Sequence, residues 1–114
     1  MMNSLSSLLG AALLAALMTT PAPASDAQAG YVSSISPLRS GIILFDHSGA
    51  RTTAPACSAF PTRWSLDAST QAGQAALSVL LTAYAQHRTV RIMGVGSCSD
   101  WSDTEAANYI VTVD

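Results

Sequence analysis

The first stretch of the chain is apolar without any period. From Leu5 to Met18 every residue is Leu, Ala, Gly, Met or Ser, and none is charged. That block has the length of a signal-peptide core and falls short of the roughly 20 residues that span a bilayer. Pro21 and Pro23 end it. Ala22 and Ala24 place small residues at the −3 and −1 positions of a cleavage site after Ala24, while Ala27 and Ala29 offer a second site further on. The start, Met1 to Ser4, lacks the usual cation, and a retained anchor helix is the rival reading. Residues 1–24 are read as a cleavable signal peptide and residues 25–114 as a single domain.

The pattern changes after Ala24. Ser25 to Gly30 reads as a short, mobile polar lead. Tyr31 to Ser36, Gly41 to Asp46 and Arg63 to Leu66 carry the β-branched and aromatic residues of strands, separated by Pro37 and by the turn His47-Ser48-Gly49. Ser69 or Thr70 then caps a helix in which Leu77, Leu80, Leu81 and Tyr84 recur at i, i+3, i+4 and i+7, and which ends near His87 or Arg88. Val90 to Val95 and Asn108 to Val113 are the last strands, the latter with Tyr109, Val111 and Val113 on one face. The predicted order is β-β-β-α-β-β, with Trp64 in the core between strand and helix.

Composition narrows the class. The chain has 114 residues, 49% apolar and 11% charged, with a net charge of −2. This is the make-up of one folded α+β domain. It has no lysine, and its cations are the scattered Arg39, Arg51, Arg63, Arg88 and Arg91. No basic stripe exists to hold a phosphate backbone or an anionic membrane, so no nucleic-acid partner is expected.

Two cysteines, Cys57 and Cys98, are the whole complement. A mature domain of about 90 residues buries only some 60–65% of its unfolded surface and gains from a staple. Export favours a disulfide between the two over free thiols. A metal pair is disfavoured, because neither histidine sits at finger spacing. Closing a loop of about 40 residues contributes roughly 4 kcal/mol in the chain-entropy account.

Candidate chemistry is sparse. Asp46, His47 and Ser48 hold the letters of a serine triad, but adjacent residues at a strand end diverge instead of converging, and there is no Gly-x-Ser-x-Gly elbow. They read as a turn. Asp100, Asp103 and Glu105 form an acidic loop whose spacing does not match a calcium loop, and it reads as solvated. Gly94-Val95-Gly96 lacks the following helix and third glycine of a dinucleotide site and reads as a bend or close backbone approach. Trp101 in this polar loop is either an aromatic platform for a sugar or partner, or a cover for the disulfide.

A helix between the third and fourth of five strands is the order of the OB-fold, a small Greek-key barrel. Between Cys57 and Cys98 the chain resembles the B subunits of bacterial ring toxins of the subtilase-cytotoxin type. The similarity rests on layout: Cys57 before the helix, Trp64 entering the third strand, a helix ending in Ala83-Tyr84, the strand Val90-Arg91-Ile92, and Cys98. The resemblance implies ring assembly and glycan binding. The expected function is thus an exported, non-catalytic binding module, periplasmic or secreted. The alternative is an accessory or inhibitor-type interaction domain of the bacterial envelope. The expected contacts are Trp101, Asp100 and Asp103, with a glycan, a protein or further copies of the chain as partner. No catalytic residue, cofactor, metal or mature membrane span is expected.

Overall fold

The computed structural model describes residues 25–114; the signal-peptide reading falls on residues outside that range. Six strands and one helix follow in the order β1 (Asp26–Gly30), β2 (Val32–Pro37), β3 (Ile42–His47), β4 (Arg63–Asp67), α1 (Gln71–Gln86), β5 (Val90–Gly94) and β6 (Ala107–Thr112). They form two antiparallel three-stranded sheets, β1-β5-β6 and β2-β3-β4. The α+β class and the single helix stand as expected. The five-strand order does not: it becomes β-β-β-β-α-β-β in two sheets.

The extra strand is the segment read as a polar lead. Asp26–Gly30 has no β-branched residue, so it carries no strand signal in composition. It pairs with β5 all the same, and Ala27 is buried at 1% exposure. The chain crosses from one sheet to the other at a single residue, Tyr31, between β1 and β2. Elsewhere the sheets meet through an isolated parallel bridge, Ser65 to Ala106, in which the Ser65 amide donates to the Glu105 carbonyl at 3.0 Å.

The core lies between these sheets and α1. Phe45, Trp64, Leu66, Leu80, Val90 and Ile92 are buried together. Thr70 caps α1 by accepting from the Gly73 amide at 2.9 Å, and His87 ends it in the left-handed region at φ 51°. The helix is turned relative to the expected stripe. Gly73, Leu80 and Ala83 are its buried residues, while Leu81 and Tyr84 stand 46% and 55% exposed. Small residues decide this: Gly73 and Ala83 admit the close approach of the sheet, which larger side chains would prevent.

A second rotation occurs in β6. The register shifts between Met93 and Gly94, leaving Asn108 without a counterpart on β5. This bulge changes the side-chain alternation. Ala107 and Ile110 pack toward the core, while Tyr109 and Val111 face solvent. The shared face predicted for Tyr109 and Val111 is thus an outer one.

Cys57 and Cys98 form a disulfide with Cα atoms 6.2 Å apart, within the usual range. It joins the irregular segment before β4 to the loop after β5. No helix among the described residues is long and apolar enough to cross a membrane.

Candidate functional site

The turn after β3 spends its polar groups locally. His47 is 2% exposed. Its Nδ1 accepts from the Gly49 amide at 3.2 Å, which leaves the proton on Nε2 to bond the Val90 carbonyl at 2.7 Å. The imidazole therefore ties β3 to β5 across the two sheets. Burial pulls it below the ordinary histidine pKa, opposed by hydrogen bonding to the backbone of Val90 and Gly30. Ser48 Oγ instead accepts from the Tyr31 amide at 2.8 Å, and Asp46 accepts from Thr62 Oγ1 at 3.0 Å. The three side chains engage three separate partners, as expected of a turn.

The acidic loop divides. Asp103, expected as a ligand contact, accepts from Arg63 Nη2 at 2.6 Å and from Thr104 Oγ1 at 3.0 Å. The Arg63 guanidinium also lies 3.9 Å from the Phe60 ring centroid. Trp101 is half-buried and forms a bridge with Thr104, whose amide donates to the Trp101 carbonyl at 3.1 Å. These contacts make the loop a closed turn.

Glu105 departs most from the solvated reading, because it is 0% exposed. Its carboxylate accepts from Arg51 Nη2 at 2.5 Å, from the Gly96 amide at 2.8 Å and from Ser25 Oγ. Arg51 also donates to the Pro61 carbonyl at 3.0 Å, and its guanidinium lies 4.0 Å from the Trp64 ring centroid. A buried carboxylate requires such pairing, since desolvating an isolated charge is costly. In sequence, the one hint of this cluster was Gly94-Val95-Gly96, read as a close approach without sight of what approaches.

Asp100 is the acidic residue of this loop whose carboxyl has no hydrogen-bond partner among the described residues. It lines a cleft of about 240 Å³ between the start of α1 and the start of β6, together with Asp67, Thr70 and Asn108 over an apolar floor that includes Leu66 and Ala76. Partial burial, and then the charge of Asp67, raise its pKa above the ordinary carboxyl value. Asp67 shifts the other way, because the Ser69 hydroxyl and amide donate to it at 2.6 and 2.9 Å. The cleft thus holds a committed carboxylate and an uncommitted carboxyl. Of the three residues expected at a contact, Asp100 lines it and Asp103 is held by Arg63. Trp101 is next to Asp100 in the chain.

Among the described residues no group of three or more His, Cys, Asp or Glu side chains is arranged to hold a metal ion. No family model, curated protein or solved structure matches the chain.

Proposed function

We propose that this protein is an exported, non-catalytic binding module that engages a hydroxyl-rich ligand such as a glycan at the cleft between α1 and β6. One observation carries the reading. The other polar residues that the sequence offers for chemistry, Asp46, His47, Ser48, Asp103 and Glu105, are committed to bonds within the fold, whereas Asp100 is not and lines the cleft with Asn108. A carboxyl and an amide over an apolar floor suit the alternating polar and apolar faces of a sugar. Trp101 is half-buried and is not among the residues that line the cleft; its indole is assigned to stack on the sugar from beside Asp100.

The barrel reading belongs with this proposal. If β1 and β2 are counted as one strand bent at Tyr31, the pairings run in a ring. They pass from β2 through β3 and β4, across the Ser65–Ala106 bridge to β6, then to β5 and back to β1. That circuit supports an OB-like barrel; the likeness to toxin B subunits, with their assembly as homo-oligomers, is part of the same proposal. The disulfide supports an oxidising compartment, periplasmic or extracellular.

A glycan array with the folded, oxidised protein tests the proposal. Specific binding is expected, weakened at least tenfold in both Asp100→Ala and Trp101→Ala. A folded protein that binds no glycan removes the sugar reading. The second reading, a protein-interaction factor of the bacterial envelope, is favoured by the exposed Leu81 and Tyr84 on the back of α1. A single stoichiometric protein recovered from envelope extracts, and lost in Leu81→Asp, would select it.

A further inference from the structure

Ser25 is the first residue of the described domain and is anchored there. Its hydroxyl donates to Glu105, and its carbonyl accepts from the Gly94 amide at 2.7 Å. The residues that follow are equally committed. Asp26 lies 3.6 Å from Arg91 and accepts at its carbonyl from the Thr52 amide at 2.9 Å, and Ala27 is buried in the core. Cleavage after Ala29 would remove all of these contacts and leave β5 without one neighbouring strand. Cleavage after Ala24 leaves them whole.

We infer that the chain is cut between Ala24 and Ser25, and that Glu105 is the built-in acceptor for the amino terminus this creates. The inference rests on the export reading of residues 1–24. The reaction is a hydrolysis by a signal peptidase. Water adds across the Ala24–Ser25 peptide bond, Ala24 leaves with a carboxylate, and Ser25 keeps the nitrogen as an α-amine that takes up a proton near neutral pH. That amine is three bonds from the hydroxyl already on Glu105, so the new cation arises beside a buried carboxylate. Glu105 Oε1 then faces Arg51 on one side and the amino terminus on the other.

The geometry also orders events. A protease needs an extended, accessible chain around its scissile bond, and folded segments yield only when they open. Ser25 is 1% exposed in the folded domain. Cleavage therefore precedes the docking of β1, and processing lets the domain close over its own new end. Before cleavage the same nitrogen is an uncharged amide, so the precursor lacks this ion pair.

The sequence supplies a selective probe, because it contains no lysine. The α-amine is then the one primary amine of the mature chain. The full chain is expressed through a bacterial secretory pathway, its amino terminus sequenced, and its amine labelled with an N-hydroxysuccinimide ester in buffer and in urea. The expected terminus is Ser25-Asp26-Ala27-Gln28, with native labelling at least tenfold slower than denatured labelling. Glu105→Gln should abolish most of that protection, and Asp103→Asn, in the part-buried pair with Arg63, should not. One glycine inserted between Ala24 and Ser25 displaces the charge without touching Glu105 and should also restore fast labelling. A chain starting at Gly30 overturns the cleavage site but leaves export intact. A chain still starting at Met1 overturns both. Equal labelling rates in native and denatured wild-type protein overturn the role of Glu105, whether or not its variant folds.

Discussion

Gly94 lies directly against the Glu105 carboxylate, with no room between them for a side chain. A Cβ at position 94 would overlap Glu105 Oε2 and come within 2.8 Å of the Trp64 ring. Gly94→Ala is therefore expected to destabilise the fold by about 1–3 kcal/mol, the usual range for overpacking a core. Part of the loss arises from displacing the carboxylate from Arg51. Denaturant unfolding measures it. A stability within 0.5 kcal/mol of wild type would mean that the loop carrying Glu105 gives way freely.

Gly73 makes the opposite case to ordinary helix propensity. Replacing glycine by alanine inside an exposed helix normally gains about 1 kcal/mol. Here a Cβ would overlap the Asp67 carbonyl oxygen and fall 2.7 Å from its carbon, and both belong to the rigid backbone at the end of β4. Gly73→Ala should lower Tm. Ala75→Gly, on the exposed side of the same helix, should lower it by propensity alone, at about 1 kcal/mol. The two variants together separate packing from propensity.

These glycines show where the sequence was legible and where it was not. The helix bounds could be read because Thr70 and the apolar spacing act locally. Its buried face could not, because Leu81 and Tyr84 outrank Gly73 and Ala83 in hydrophobicity while only the small pair fits the sheet. β1 escaped notice for a related reason. Its strand character comes from pairing with β5 and from the burial of Ala27 in the core, and neither shows in the residues Asp-Ala-Gln-Ala-Gly. At the site, the partial burial of Asp100 and the full burial of Glu105 look identical in a polar loop. What distinguishes them is Arg51, 54 positions away in the chain.

The Cys57–Cys98 bridge spans 41 positions. In the chain-entropy account, closing such a loop in the unfolded state contributes about 4 kcal/mol, a large share of what a domain this small possesses. The Cys57→Ser, Cys98→Ser double variant should therefore unfold in mild denaturant and lose most of its cooperative transition at 37 °C. Calorimetry with and without a reductant gives the same comparison on the wild-type protein. A transition unmoved by reduction would place the stability in the sheets and not in the staple.

The buried His47 makes stability depend on pH in a definite direction. Its folded pKa lies below 6.5, chiefly because burial disfavours the cation. Between 6.5 and the lower folded value the unfolded chain therefore binds more protons at this site than the native one. Stability contributed here is full above pH 6.5 and falls as the pH drops through that window, until the native imidazole itself protonates. Urea unfolding at steps from pH 7.5 to 5 should show the loss beginning near 6.5. In His47→Gln, which keeps a donor toward Val90 without a titrating ring, the slope over that interval should flatten while overall stability falls. An unchanged slope in the variant would assign the pH response to another group.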